Sequence, residues 1–299
     1  MKKACLIYLI ILAGLYAVLS LFDLKGDYIV EKKIWKLYQM QLDIAKDPRV
    51  IPDLTFKNVI DGYRKVIEQY RGSRLTPTLY IRLGEVYSLK KDYEQARKTF
   101  HETIKRYPDN HDLSAQAMFE IGKTYELEQN WIEASRVYNA IIREYSETET
   151  AMSVPIYIAN YYRNQNDSQM TKEAYEVARR YYKKMAADYT DTKVGLNALR
   201  YLSNCYLEQK GWNHAVETLG TIIEKYAQYG YLPIDDMEKM IKTINIISAY
   251  KIKNYDKAIL LYQGIIDRNP NHRFRGYLQK MIDAFQQLKK EDLKASNLE

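Results

Sequence analysis

A short pattern of small and apolar residues returns along the chain at nearly constant intervals, and it constrains the fold more than any other feature. The pattern is Ala, Phe or Tyr, Ile or Ala, and Tyr at spacings of four, four and three residues, as in Ala96-Phe100-Ile104-Tyr107. Its copies begin at residues 59, 96, 134, 178, 215 and 258, so the intervals are 37, 38, 44, 37 and 43 residues. Spacings of three and four place side chains on one helix face. The sequence therefore predicts an all-α chain of repeated helices.

A second amphipathic helix precedes each copy, so the repeating unit is a pair of helices. The residues of the first full copy resemble the tetratricopeptide repeat in order and spacing: Tyr80, Leu83, Gly84, Tyr87, Ala96, Phe100 and Pro108. Later copies keep Gly122, Tyr125, Ala134 and Tyr138, then Ala178 and Tyr182, then Ala215, and finally Ala258, Tyr262 and Pro270. The resemblance implies a right-handed superhelical solenoid of helix pairs in which these residues pack the repeats together.

The small and aromatic members of the signature have a physical role in such a fold. Gly84 and Gly122 are expected where the two helices of a pair cross, because a larger side chain would push the helix axes apart. Phe100 and Tyr138 are expected to fill the gap to the next pair. The chain has 29 Tyr against 6 Phe and 3 Trp, and the repeats explain many of these tyrosines as recurring packing residues.

Composition excludes several classes of protein. The chain of 299 residues has only 12 Gly and 7 Pro, too few for a β-sandwich with many turns or for low-complexity disorder. The net charge of +7 includes Lys2 and Lys3, and no long basic run occurs, so a nucleic-acid partner is not expected. Cys5 and Cys205 are the only cysteines, which excludes a disulfide framework and a CxxC metal site.

The N-terminus carries a membrane or export signal. Lys2 and Lys3 are followed by residues 4–22, which contain no charge. Nineteen helical residues span ~28 Å, close to the ~30 Å hydrocarbon core of a bilayer. Lysines at the N-terminal end favour its retention in the cytoplasm. We therefore expect a single-pass transmembrane helix with an extracytoplasmic, periplasmic body; the alternative is a secreted or periplasmic chain produced by cleavage of a signal peptide.

These patterns divide the chain into five segments. The segments are a membrane anchor or uncleaved signal at 1–23, a degenerate helical pair at 24–72, five repeats at 75–271, a capping helix at 273–290 and a disordered tail at 291–299. In the third repeat, seven additional residues are expected between the two helices, around residues 164–171. Asp53 is the expected N-cap of the second helix.

Motifs of catalysis are missing from the sequence. It contains no GxGxxG, GxxxxGK[ST], GxSxG or HExxH. The four histidines, His101, His111, His214 and His272, stand apart from one another and from any second metal ligand at a suitable spacing. We therefore expect no enzyme activity, no cofactor and no metal.

The resemblance implies that the first helices of the pairs line a concave groove that binds a protein or peptide partner. The positions that correspond to the groove are Ile81, Glu85, Phe119, Lys123, Tyr157, Asn160, Arg163, Arg200, Asn204 and Leu207. Arg200 and Asn204 stand where one tetratricopeptide subfamily has a basic residue and an Asn that hold a C-terminal carboxylate. Other residues of that clamp are not matched.

The layout is similar to that of cell-envelope tetratricopeptide proteins, namely the coordinator of the Tol–Pal system and the outer-membrane-assembly lipoprotein. The expected function is a non-catalytic, membrane-anchored scaffold for protein–protein interactions. Two alternatives are a regulatory or substrate-binding subunit of an envelope enzyme complex and a cell-wall glycan binder that uses exposed tyrosines.

Overall fold

The computed structural model describes residues 12, 14, 27–229 and 232–296, and residues 27–229 and 232–296 form thirteen α-helices and no β-strand. The prediction of an all-α repeat of helix pairs is confirmed over these ranges, and the right-handed superhelical course stays a prediction. The segment 4–22, expected to cross a membrane, lies outside the described residues except for residues 12 and 14. Within the described part of the chain, no helix combines the length and the apolar character needed to cross a bilayer.

The chain divides into two units, Met1–Thr150 and Ala151–Glu299. The described helices of the first unit are α1 (Asp27–Lys46), α2 (Asp53–Gln69), α3 (Thr76–Leu89), α4 (Tyr93–Arg106), α5 (His111–Leu127) and α6 (Trp131–Glu144), with a short 3₁₀-helix (Pro48–Val50) between α1 and α2. Consecutive helices pack as the pairs α1–α2, α3–α4 and α5–α6, and α3 also packs against α1 and α5.

The helices of the second unit continue the series. They are α7 (Glu149–Asn164), which begins at the boundary, α8 (Ser168–Asp188), α9 (Lys193–Glu208), α10 (Trp212–Tyr226), α11 (Ile234–Ile246) with a π-helical extension (Ile247–Lys251), α12 (Tyr255–Arg268) and α13 (Arg275–Ser296). The buried side chains of α8 to α13 form one continuous core.

Tight turns within the pairs follow one local scheme. Lys91 and Gln129 adopt left-handed backbone conformations with φ of 66° and 60°. The next residue caps the following helix: Asp92 accepts a hydrogen bond from Gln95 N–H, and Asn130 accepts one from Glu133 N–H, each at 3.3 Å. Asp and Asn are strong N-caps because their side chains satisfy an amide that has no partner in the helix.

Signature residues of the repeat lie in the core. The side chains that are 0% exposed include Ala96, Phe100, Ala134, Tyr138, Ala178, Tyr182, Ala215, Ala258 and Tyr262. A Cβ atom added at Gly84 would overlap the ring of Phe100, and one at Gly122 would overlap the ring of Tyr138. These rings therefore lie over the glycine of their own pair, whereas the sequence predicts that they fill the gap to the next pair.

Three signature residues are not core residues. Pro108 and Pro270 are exposed in the turns after α4 and α12, so their role is to end helices, because proline supplies no backbone N–H. Tyr125 is half-buried, and its ring lies 4.5 Å from the guanidinium of Arg97. Arg97 also donates a 2.7 Å hydrogen bond to Glu128, which links α4 to the end of α5.

Tyrosines that end the second helices act through their backbone as well as their rings. Tyr70, Tyr107, Tyr145 and Tyr189 are C-cap residues, and each N–H bonds the carbonyl four residues earlier. Tyr226 differs, since its hydroxyl accepts a 3.2 Å hydrogen bond from Asp191 N–H.

Helix ends differ from the sequence prediction at three places. The additional residues of the third repeat do not form a loop around 164–171, because α8 already begins at Ser168, where Asp167 caps Met170 N–H at 2.9 Å, and α8 extends to 21 residues. Asp53 is the first helical residue rather than the N-cap, a position where its charge favours the helix dipole. Where the sequence predicts a disordered tail from residue 291, α13 continues to Ser296.

We predict that Gly84→Ala and Gly122→Ala destabilise the chain. Overpacking a core costs ~1–3 kcal/mol and outweighs the ~1 kcal/mol that alanine gains over glycine in a helix. Urea unfolding followed by circular dichroism measures the change. Gly72→Ala is the matched control, because an added Cβ there meets no heavy atom within 4 Å. Equal or greater stability of Gly84→Ala than of the parent would contradict the packing described above.

We also predict that a subset of tyrosines ionises only when the chain unfolds. Burial raises the pKa of Tyr63, Tyr182 and Tyr262, and it raises the pKa of Tyr181 to about 12. Because the folded chain disfavours these phenolates, stability is intact below the unfolded phenol pKa of ~10 and is lost as pH rises above it. In an alkaline titration followed by absorbance at 295 nm, exposed tyrosines should ionise in a first phase. The buried tyrosines should ionise in a second phase at higher pH, together with the loss of the helical circular dichroism signal. In concentrated urea the two phases should merge into one. A single step with unchanged circular dichroism would refute this.

Candidate functional site

Helices α1, α3 and α5 line a concave surface of the first unit, here called the α1–α3–α5 groove. It consists of two adjoining pockets of about 320 and 520 Å³ that share Tyr38 and Arg82. The first pocket lies between the N-terminal half of α3 and α1, and the second lies at the C-terminal ends of α1, α3 and α5. The groove therefore follows the length of α3.

The structure places the predicted groove residues of this unit in two different environments. Glu85 and Lys123 line the second pocket. Ile81 is 1% exposed in the core, and the half-buried ring of Phe119 lies 5.3 Å from the ring of Tyr138. Ile81 and Phe119 are thus not groove residues. Their places are taken by the next residue in each helix, Arg82 and Glu120.

A chain of hydrogen bonds crosses the floor of the groove. Tyr63 donates its buried hydroxyl to Gln41 Oε1 at 2.7 Å, and Gln41 Nε2 donates to Glu85 Oε2 at 2.7 Å. Arg82 Nη1 donates to the same carboxylate oxygen at 3.0 Å, and its guanidinium lies 4.7 Å from the centre of the Tyr38 ring. Because each member is held by a neighbour, the polar floor is ordered before any partner arrives.

A second ion pair lies beside this network on α5. Lys123 Nζ is 3.1 Å from Glu120 Oε2. Burial raises the pKa of Glu120, and the lysine opposes that effect. The Glu120 side chain is 14% exposed and that of Lys123 is 46% exposed, so the carboxylate lies deeper than the ammonium group that faces the groove.

The walls of the groove are apolar. Leu42, Leu89 and Leu127 lie around the second pocket, and Trp35 lies beside the first. Trp35 is 64% exposed and Leu127 is 56% exposed. Large side chains exposed around a concave surface mark interaction sites more often than isolated exposed residues do. The contribution of α1 is missing from the sequence-predicted groove because α1 carries no repeat signature.

Three predicted groove residues of the second unit pair with side chains of that unit. Asn160 accepts a 3.0 Å hydrogen bond from the Tyr175 hydroxyl, and Arg163 pairs with Glu208. Arg200 pairs with Asp236 of α11 at 2.8 Å. The cation expected to grip a C-terminal carboxylate already has a carboxylate partner.

The remaining predicted residues of that unit differ in exposure. Asn204 is exposed, Tyr157 is half-buried, and Leu207 is half-buried against the core. Tyr201, on the same helix as Asn204, stacks on Tyr182 at 5.2 Å between ring centres. A pocket of about 360 Å³ between α11 and α13 is lined mainly by charged and polar side chains, including Asp235 and Lys239. The groove of the first unit is thus the more apolar of the two.

The described residues show no arrangement suited to metal binding, since no group of three His, Cys, Asp or Glu side chains converges among them. Burial raises the pKa of Cys205 to about 12, so its thiol is not activated at neutral pH. His272 is buried. Its ring nitrogens contact Ile223 O at 3.0 Å and Phe274 N–H at 3.1 Å, which makes it a structural residue.

Comparison with solved structures gives several proteins at low identity. BtubC from P. vanneervenii is 11% identical with a TM-score of 0.39, covering 86% of this chain and 91% of that one. A tetratricopeptide repeat protein from Parabacteroides merdae is 8% identical with a TM-score of 0.33, covering 85% and 99%. The TPR2AB domain of yeast Sti1, in complex with pHSP90, is 12% identical with a TM-score of 0.33, covering 87% and 100%. At these values the likeness carries no information about a partner.

Comparison with protein families gives a more local result. No curated protein sequence matches the chain. Residues 75–143 match the family model of the tetratricopeptide repeat. This stretch contains α3 to α6, the two pairs in which the sequence signature is fullest. The predicted repeats are confirmed there, and two of the three helices that line the groove, α3 and α5, lie within the matched stretch.

Proposed function

We propose that the chain is a non-catalytic scaffold, anchored in a membrane through residues 4–22, that binds a protein partner in the α1–α3–α5 groove. Tetratricopeptide repeats indicate a protein–protein interaction scaffold. The observation that carries the proposal is the groove itself, where an ordered polar floor lies between apolar walls.

The location is proposed from the sequence. Residues 4–22 have the length and apolar character of a membrane span, and Lys2 and Lys3 favour a cytoplasmic N-terminus. The body would then face the extracytoplasmic side, in the periplasm of an envelope with two membranes. This layout resembles that of the cell-envelope tetratricopeptide proteins. Since Cys5 precedes most of the apolar segment, it is poorly placed for lipid attachment, which favours a transmembrane anchor.

We predict that the full chain fractionates with membranes and resists extraction by alkaline carbonate. Replacing Ala13 and Leu15 by Arg should release it, because an arginine at the centre of a span costs ~2.5–3.5 kcal/mol. Protease added from the extracytoplasmic side should digest the body. Recovery of the parent chain in the soluble fraction would exclude an anchor, and recovery of a shortened soluble chain would indicate signal cleavage.

We predict that photo-crosslinking residues placed at Leu42 and Ser88, which both line the second pocket, capture a protein partner in the native cell. The same probe at Leu260, which is 72% exposed on α12, is the matched control. Leu127→Asp should abolish capture at both groove positions, since burying an unpaired charge in an interface costs several kcal/mol. Equal capture at all three positions would contradict a specific role of the groove.

A further inference from the structure

We propose that the α1–α3–α5 groove takes an acidic amphipathic α-helix that lies along α3. This inference rests on the proposed scaffold function and specifies the chemistry and conformation of the partner. Three observations carry it: the spacing of the two pockets, the unequal exposure of the charges on the floor, and the exposed leucines of the wall.

The spacing of the two pockets fits a partner helix. On α3, the first pocket is lined by Leu75, Thr78 and Leu79, and the second by Glu85, Ser88 and Leu89. Ten residues separate the middles of these sets, which is ~15 Å at the helical rise. Two apolar side chains three turns apart on one face of a partner helix span ~16 Å and would reach both pockets.

The charges on the floor are exposed unequally. The carboxylates lie deeper, with side chains 21% exposed for Glu85 and 14% for Glu120. The cations that pair with them project further, at 35% for Arg82 and 46% for Lys123. An approaching partner therefore meets positive charge first, so its own charge should be negative.

Charges at the rim add to this bias. Lys91 is exposed beside the second pocket, and Arg49 is exposed there although it pairs with Asp47 at 2.9 Å. At the first pocket the exposed carboxylate of Glu31 lies 3.8 Å from Arg74. The positive bias is thus greatest at the second pocket, so the acidic side chains should lie toward that end.

The same charges distinguish this partner from other occupants. The uncharged segment 4–22 of this chain would bring no negative charge to the exposed sides of Arg82 and Lys123. A basic helix could reach Glu85 and Glu120 only by displacing the cations that cover them. An acidic helix instead adds a second carboxylate above each cation while its apolar face covers Leu42 and Leu127.

The test uses the full chain in nanodiscs of neutral lipid, with empty nanodiscs as the blank. The probe is a fluorescein-labelled synthetic peptide of about 20 residues, long enough to form a helix, with leucine pairs three turns apart and glutamates flanking them. One comparison peptide has lysine in place of each glutamate, and another has its leucine pairs only four residues apart. Fluorescence anisotropy should show at least about tenfold tighter binding of the first peptide, with the affinity falling as salt is added.

Variants locate the binding in the groove. Lys123→Gln and Leu127→Asp should each weaken binding of the acidic peptide about tenfold or more, while Leu260→Asp should leave the affinity for this peptide unchanged. Thermal unfolding checks that the variants fold. If Leu127→Asp is unstable, the affinity of Lys123→Gln for the acidic peptide alone decides whether the peptide binds in the groove. Equal binding of the lysine peptide overturns the charge assignment, and equal binding of the closely spaced peptide overturns the helix. Failure of every peptide overturns this inference but not the scaffold, which the photo-crosslinking tests separately.

Discussion

The contact between a glycine on the first helix and an aromatic ring on the second is the constraint on which the α3–α4 and α5–α6 pairs depend. At Gly84 the ring of Phe100 occupies the space that a Cβ would need, and at Gly122 the ring of Tyr138 does the same. The ring brings a large apolar surface to the crossing point, and the missing side chain lets the backbones approach. Because the glycine face of α3 and of α5 must point toward the ring, another face of each helix is left to line the groove.

Tyrosine serves this arrangement better than phenylalanine would at several positions. Tyr138 is buried, yet its hydroxyl reaches Glu126 at 2.6 Å, and Tyr182 reaches Met152 O at 2.7 Å. Each ring thus packs between the two helices of its pair, while its hydroxyl donates a hydrogen bond to the other helix of that pair. Among the described residues, Tyr138 and Tyr182 are thus packing residues, whereas Tyr250 and Tyr277 are exposed.

The helix pairs could be predicted from the sequence, whereas the groove could be predicted only in part. Periodicity determines which face of a helix is apolar, so the pairs and their packing residues followed. To predict the groove residues, the rotation of each helix must be known to within one residue, which is 100°. On α3 the prediction was wrong by one residue: it named Ile81, whereas the neighbouring Arg82 lines the groove. The α1 wall was missed because only packing against α3 reveals it. Similarly, the seven additional residues of the third repeat could lengthen a loop or a helix, and their number alone does not distinguish the two; in the structure they lengthen α8.

The floor of the groove holds a charged side chain in a fixed position before a partner binds. Arginine and lysine side chains lose substantial conformational entropy when a partner orders them. In the groove, Arg82 is held between the Glu85 carboxylate and the Tyr38 ring, and Glu85 is itself held by Gln41. The ordering of the cation is thus completed during folding, by groups that are recessed beneath it. A carboxylate of the proposed helix would meet a donor already in position, and the geometry of that donor would favour partners whose acidic side chains match its place along α3.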